Sequence, residues 1–254
     1  MTNKSSEHIH DRLSILVRLD GFSFLAQNFE GTVVRRDHYD FSEKIQAHQL
    51  LEQLDLAFQA FDYLQYDYRK VSVVYANELF TMIPEALFDE SQLAEYLKFN
   101  TKILATDYIA HDTIASQGIV NAYIPFANTN NRFFDAYGSF DFYHAVTLLT
   151  THALDKGAKK DSVLVHVSKT SFDMVVTRDS KLLLANTYTF TTKEDFVYYL
   201  LFAFEQLELD HETVPVHCVG EIDTESELYK ITYTYIRHLT AATAQNDYLL
   251  TLLN

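Results

Sequence analysis

Cysteine and glycine are both scarce in this 254-residue chain. The single cysteine, Cys218, excludes an internal disulfide and any metal cage built from cysteines. Only six glycines are present, and they form neither a GxxxxGK(S/T) nor a GxGxxG pattern. These absences exclude the common glycine-rich phosphate loops.

Long apolar runs are missing as well. No stretch reaches the roughly 18 apolar residues that a membrane-spanning helix needs, and residues 1–11 are polar, without the apolar centre of a secretion signal. Hydrophobic residues make up 48% of the chain and charged residues 22%, which are ordinary globular values. We therefore expect a folded chain without membrane insertion that resides in the cytoplasm.

Basic side chains are outnumbered. The chain contains 20 Lys and Arg residues and 35 Asp and Glu residues, so the formal net charge is −15. Such a charge repels phosphate backbones and anionic lipid unless a local basic patch is present. The basic stretches are short, Arg35-Arg36 and the group Lys156, Lys159 and Lys160. We expect no nucleic-acid binding.

What the chain does contain is an internal repeat. Two apolar runs of strand character, 14–20 and 162–168, each lead through a turn into a second run, 22–27 and 172–177. A third run in each copy ends in similar residues, at 39–41 and 188–190. With one gap placed near residue 169, the two segments align end to end.

The repeat continues into helices and a fourth strand. Apolar side chains recur at steps of three and four over 44–61 and 193–209, which predicts two amphipathic helices. Strands follow at 71–75 and 214–218, and a further helical pattern runs from Leu228 to Leu239. Each copy is therefore predicted to have the order β-β-β-α-β-α, a mixed sheet with helices on its faces.

The first copy carries an extra segment over residues 91–155. It is interpreted as a helix at 91–99, a strand pair at 103–109 and 119–124, and helices at 128–137 and 144–154. The predicted domains are residues 1–155, the first lobe with the inserted strand pair and helices, and residues 156–254, the second lobe. Gly157 and Lys159-Lys160-Asp161 form the expected junction.

The duplicated β-β-β-α-β-α unit resembles the actin-like ATPase superfamily. The chain also looks like a bacterial family known as domain-of-unknown-function family 3822, on three stretches: Val-Arg-Leu-Asp-Gly at 17–21, Val-Asn-Ala-Tyr-Ile-Pro at 120–125 and Leu-Leu-Leu-Ala-Asn-Thr-Tyr-Thr-Phe at 182–190. The resemblance implies an α/β fold of two ribonuclease-H-like lobes in an actin-like arrangement, with no assigned activity.

The resemblance also implies where a nucleotide would lie between the lobes. Active members use an Asp and a Gly in a first phosphate turn, a matching second turn, and a glycine pair beside the adenosine. Here the second turn has neither Asp nor Gly, and Glu221 stands where the second adenosine glycine is expected. The weak nucleotide-binding candidates are Asp20, Gly21, Ser23, Lys169, Thr170 and Gly220.

Three functions remain open at this stage. The favoured hypothesis is a non-catalytic scaffold or adaptor that binds another protein, with a vestigial nucleotide site, no catalytic residue, no metal and no cofactor. The alternative is an ATP-dependent phosphotransferase or ATPase that uses Asp20, ATP and Mg²⁺ in the inter-lobe cleft. A third is a metal-dependent nuclease built on Asp20, Glu43 or Glu52, and Glu78. A homo-oligomer also stays possible.

The histidines and tyrosines add little to these alternatives. His8 and His10 belong to the polar N-terminal tail, and the eleven histidines show no HExxH spacing. His217 and Cys218 are neighbours on a predicted strand, so they point to opposite faces and cannot share a metal. Tyrosines cluster at 63–68 and 229–235, where a protein interface and a half-buried surface are equally compatible with the pattern.

Overall fold

The computed structural model describes residues 11–104, 107–156 and 160–253. In the first part of the chain, the strands and helices are β1 (Arg12–Val17), β2 (Gly21–Gln27), β3 (Val33–Asp40), α1 (Leu50–Ala60), β4 (Lys70–Tyr75), β5 (Phe80–Pro84), α2 (Leu93–Leu97), β6 (Ala110–Ile114), β7 (Ile119–Tyr123), α3 (Ala127–Tyr137), β8 (Asp141–His144) and α4 (Ala145–Asp155).

In the second part, the elements are β9 (Ser162–Val167), β10 (Ser171–Arg178), β11 (Lys181–Thr189), α5 (Lys193–Gln206), β12 (Val216–Gly220), α6 (Glu227–Tyr233), β13 (Leu239–Ala241) and α7 (Tyr248–Thr251). None of the helices in the described ranges is long and apolar enough to cross a membrane. His8, His10, Gly157 and Lys159 lie outside the described residues, and the lobe boundary after residue 155 stays a prediction.

Two five-stranded sheets repeat one topology. Their strand orders are β3-β2-β1-β4-β8 and β11-β10-β9-β12-β13, and a three-stranded sheet, β5-β7-β6, is inserted in the first half. In each large sheet the first strand runs antiparallel to the second and parallel to the fourth. The predicted fold class is therefore confirmed: two mixed sheets flanked by helices, built from a duplicated unit.

The register of the two copies corrects the alignment near residue 169. Strands β1 and β9 each have six residues, and the turns after them each have three. The same turn bonds recur, from Arg18 N to Gly21 O and from Ser168 N to Ser171 O. The predicted gap was wrong, because Arg18 is equivalent to Ser168 and Asp20 to Thr170 without any insertion.

Several short strands differ from the sequence prediction. The predicted strand at 103–109 was wrong: the strand is β6, and residues 105 and 106 lie outside the described ranges. Strands β5, β8 and β13 were not predicted, and Leu239 lies in β13 rather than in the preceding helix. Each has at most five residues, which is too short for an alternating apolar pattern to stand out.

The two lobes share an apolar core. On β1, Leu13, Ile15 and Val17 pack against the first lobe's own helices, whereas Leu16 points the other way. Helices α4 and α7 lie between the large sheets, and the cluster there joins residues of both lobes: Leu16, Leu25, Val74, Ala145, Leu149, Leu164, Val175, Val219, Leu249 and Leu250. This shared core holds the lobes in a fixed relation.

A buried histidine lies at the edge of this interface. His144 is fully buried between β8 and α4, and its Nε2 lies 3.4 Å from Asn77 Oδ1. Its backbone N–H donates to Asp112 Oδ2 at 2.8 Å, and burial raises the pKa of the Asp112 carboxyl. Burial also lowers the pKa of His144 to about 4, so the imidazole is neutral in the fold at pH 7.

We predict that His144 makes the protein acid-sensitive. Between its ordinary pKa of 6.5 and about 4, this imidazole is protonated only in the unfolded chain. The unfolded state then binds more protons, so the free energy of unfolding falls as pH drops through that window, by roughly 3 kcal/mol. Urea unfolding at several pH values should show that His144→Asn removes this dependence.

The comparison isolates His144, because Asp112 is present in both proteins. A matched control is His211→Asn, which removes a histidine whose side chain is 57% exposed and keeps the buried His144 in place. An identical pH dependence in His144→Asn and the unmodified protein would contradict the assignment.

Candidate functional site

The two predicted phosphate turns meet at the ends of the central strands. The turn 18–20 follows β1, and its equivalent, 168–170, follows β9. Thr170 Oγ1 donates a hydrogen bond to Asp20 Oδ2 at 3.2 Å, and Lys169 Nζ donates to the carbonyl of Phe41 at 3.3 Å. The turns therefore bind each other across the lobe boundary.

An arginine lies where the turns meet. Arg18 Nε lies 3.0 Å from Asp20 Oδ1, and its Nη1 lies 2.9 Å from Glu221 Oε1. Arg18 and Asp20 are each 4% exposed. Glu221 directly follows β12 in the second lobe, so one buried cation bridges a carboxylate from each lobe. We call Arg18, Asp20 and Glu221 the Arg18 triad.

Gly220 has a structural explanation of its own. Its φ is +90°, and a Cβ at this position would lie 2.3 Å from the carbonyl oxygen of Val167 on the neighbouring β9. Only glycine tolerates both the backbone angle and this close approach. The residue after it, Glu221, donates its N–H to the same carbonyl at 2.8 Å and turns its side chain toward Arg18.

Ser23 and Gly21 also make contacts within the protein. Ser23 is fully buried; its Oγ lies 3.0 Å from His38 Nδ1 and donates to the carbonyl of Asn246 at 3.4 Å. A Cβ on Gly21 would lie 2.9 Å from the carbonyl of Tyr39. The structure thus brings Asp20, Lys169 and Thr170 to the lobe boundary, and Ser23 contacts the second lobe at Asn246.

A cavity of about 210 Å³ remains beside the Arg18 triad. That is below the roughly 300–1,000 Å³ of typical ligand pockets. The charged residues that line it are two cations, Arg18 and Lys44, and three carboxylates, Asp20, Glu78 and Asp173. Glu43 and Glu52, proposed with Asp20 and Glu78 for a nuclease centre, do not line it. A triphosphate in this cavity would lie next to three carboxylates as well as two cations.

Within the described residues, no group of three or more His, Cys, Asp or Glu side chains is arranged to hold a metal ion. His217 and Cys218 do point to opposite faces of β12, one exposed and one buried. Burial raises the pKa of the Cys218 thiol to about 12, so it stays protonated and packs as a small apolar group.

Sequence reasoning missed two charged residues of this region. Arg18 was noted only within the Val-Arg-Leu-Asp-Gly stretch at 17–21, although a charged residue at the end of an apolar strand indicates a buried partner. Asp173 interrupts the apolar run of β10, which is the same kind of signal. Its Oδ2 lies 3.1 Å from His166 Nδ1, and its Oδ1 accepts a hydrogen bond from Thr187 Oγ1 at 2.6 Å.

We predict that Gly220→Ala destabilises the fold by at least about 2 kcal/mol, because the added methyl group meets a backbone oxygen and the φ angle is unfavourable. Gly31→Ala is the matched control: Gly31 has φ +78° but nothing within 4 Å of a built Cβ. It should cost only about 1 kcal/mol. Urea unfolding measures both, and equal losses would contradict the close approach at Val167.

Comparison with solved structures supports the fold assignment. A protein from Bacteroides thetaiotaomicron, described as having an actin-like ATPase fold and unknown function, superposes with a TM-score of 0.86 at 23% identity, covering 100% of both chains. The PilM-PilN type IV pilus biogenesis complex matches with a TM-score of 0.58 at 11% identity, covering 92% of this chain and 88% of that one.

A third structure, the ethanolamine utilization protein EutJ from Carboxydothermus hydrogenoformans, matches with a TM-score of 0.51 at 8% identity, over 94% of this chain and 87% of that one. At these identities the likeness concerns the fold alone. A comparison with curated proteins finds no match. The model of the family described as "Protein of unknown function (DUF3822)" matches residues 2–239. The chain therefore belongs to the DUF3822 family and has an actin-like ATPase fold.

Proposed function

We propose that this protein is a non-catalytic actin-like scaffold or adaptor of the cytoplasm that binds another protein, and that its nucleotide cleft is vestigial. The observation that carries the proposal is the Arg18 triad. A buried guanidinium lies between carboxylates of the two lobes, where the superfamily resemblance places the nucleotide.

The triad makes the cleft costly to open. Removing one partner from a buried ion pair costs about 3–5 kcal/mol, because the remaining charge has no counter-charge and little water. A nucleotide entering between the turns would have to separate Arg18 from Asp20 or from Glu221. It would also break the bond from Thr170 Oγ1 to Asp20 Oδ2. Part of the free energy of nucleotide binding would therefore be offset by the cost of opening the lobes.

The same contacts weigh against the alternative, an ATP-dependent phosphotransferase or ATPase. That reading needs Asp20 free to position a metal-bound water. Here Oδ1 of Asp20 faces Arg18, and Oδ2 accepts from Thr170. Asp20 Oδ2 is hydrogen-bonded within the protein, and Oδ1 lies at ion-pair distance from Arg18 without a hydrogen bond, which favours a structural role for Asp20.

Binding of a protein partner is supported by fold analogy and by charge. The PilM structure of similar fold was solved as a complex with PilN. The net charge of −15 favours a partner segment with basic side chains and disfavours nucleic acid.

The nucleotide part of the proposal is tested by isothermal titration calorimetry. ATP and ADP, each with and without Mg²⁺, are titrated into the folded protein, and we expect no binding heat up to millimolar nucleotide. A dissociation constant in the micromolar range would contradict the proposal and favour the enzyme. In that case Asp20→Asn should abolish ATP hydrolysis while circular dichroism shows an intact fold.

A further inference from the structure

The outer edge of the second large sheet carries free backbone groups. Phe190 N donates to Thr170 O, so these two residues form a hydrogen-bonded pair of the antiparallel ladder. Hydrogen-bonded and non-hydrogen-bonded pairs alternate along such a ladder, which shows which residues of β11 bond to β10. Every second residue of β11 therefore bonds to β10, and the others direct their N–H and C=O groups outward. The outward residues are Ala185, Thr187 and Thr189, and in the described part of the chain no backbone group pairs with them.

The equivalent edge of the first lobe is chemically different. Strand β3 carries Asp, Arg or His side chains at five of its eight positions: Arg35, Arg36, Asp37, His38 and Asp40. Strand β11, nine residues long, carries only Lys181. Natural sheets protect exposed edges with charges, proline or bulges. One copy of the duplicated unit has charged side chains over residues 35–40 of this edge, whereas the other keeps a pairing-competent edge toward its carboxyl end.

An aromatic ladder leads from this edge onto the solvent face of α5. The ring of Tyr188 on β11 stacks on Tyr199, with centroids 5.3 Å apart; Tyr199 contacts Tyr198 at 5.4 Å, and Tyr198 stacks on Phe202 at 6.1 Å. Tyr198 is 60% exposed and Phe202 is 44% exposed. Exposed rings that are clustered, rather than scattered singly, are a feature of binding surfaces.

Acidic side chains flank the ladder along the same helical face. Glu194 lies four residues before Tyr198, and Glu205 lies three residues after Phe202, and both are exposed. Aromatic rings bounded by carboxylates match a ligand that has apolar side chains and positive charges.

From these features we infer that the β11 edge and the aromatic ladder form a docking site for an extended segment of a partner protein, which adds to the sheet as a sixth strand. The segment alternates apolar with Lys or Arg side chains, since alternate residues of a strand point to the two faces of the sheet. The inference rests on the proposed adaptor function and names the surface that performs it.

A second copy of this chain is the less suitable occupant. Each copy carries a net charge of −15, and pairing two such chains edge to edge brings like charges together. A basic segment gains from the same charge that repels a second copy.

The test uses fluorescence anisotropy with a labelled peptide of about ten residues that alternates valine and lysine, the length of one long strand. The control peptide alternates proline and lysine, so it has the same charge but lacks the N–H at every second position. We expect saturable binding of the valine peptide and binding at least about tenfold weaker for the proline peptide, which corresponds to one or two lost hydrogen bonds.

Two variants remove separate parts of the site. Thr189→Pro deletes one outward N–H without breaking a bond to β10, and Tyr198→Ala/Phe202→Ala removes the exposed rings of the ladder. Each should weaken the valine peptide about tenfold. The matched control is Asp40→Pro, at the equivalent position of β3 in the protected edge, and it should leave the affinity unchanged.

Equal binding of both peptides, or equal binding to all variants, would overturn the inference and leave only charge attraction. Dimerisation in sedimentation experiments that Thr189→Pro abolishes would also overturn it, because a second copy would then occupy the edge. If the valine peptide does not bind and calorimetry shows no nucleotide binding, the docking site at β11 is contradicted and the vestigial cleft is still supported. If a nucleotide binds with micromolar affinity, the proposed function is contradicted, whether or not the peptide binds.

Discussion

The buried guanidinium of Arg18 constrains the whole molecule. A charge that is 4% exposed needs counter-charges at contact distance, and here they come from both lobes, Asp20 in the first and Glu221 in the second. Separating the lobes would therefore break the contact between Arg18 and Glu221 and the hydrogen bond between Thr170 and Asp20, while Arg18 would keep Asp20 of its own turn. Buried ion pairs add little net stability over apolar packing, whereas removing one partner costs about 3–5 kcal/mol. The triad therefore contributes to the arrangement of the two turns that the structure shows.

The duplicated unit explains how these contacts between the two turns arise within one chain. Equivalent positions of the two copies face each other at the lobe boundary, so a change in one copy meets its counterpart in the other. Asp20 in the first copy meets Thr170 in the second. Beneath these turns, apolar residues of both sheets enclose α4 and α7. The Arg18 triad and the apolar core thus favour the same arrangement of the two lobes. The edge strands β3 and β11 differ in charge, and β11 is the edge with fewer charged side chains.

The architecture was largely predictable, whereas the site was not. Long elements such as α5 and β10 have apolar periodicity that is visible in the sequence, and the repeat order doubled the signal. Short edge strands such as β8 have too few residues for a pattern. The role of Arg18 depends on Glu221, about 200 residues away in the chain, and a single sequence contains no sign of that pairing. The mistaken gap near residue 169 hid the equivalence of Asp20 and Thr170.

The coupling between Arg18 and Glu221 tests this account most directly. In a double-mutant cycle, Arg18→Met, Glu221→Gln and the double variant are compared by urea unfolding, with the exposed pair Lys193 and Glu227 as a reference cycle. We predict a coupling of about 2 kcal/mol or more for the buried pair and below about 1 kcal/mol for the exposed pair. Additive effects within about 0.5 kcal/mol for Arg18 and Glu221 would contradict the claim that this interaction holds the lobes closed.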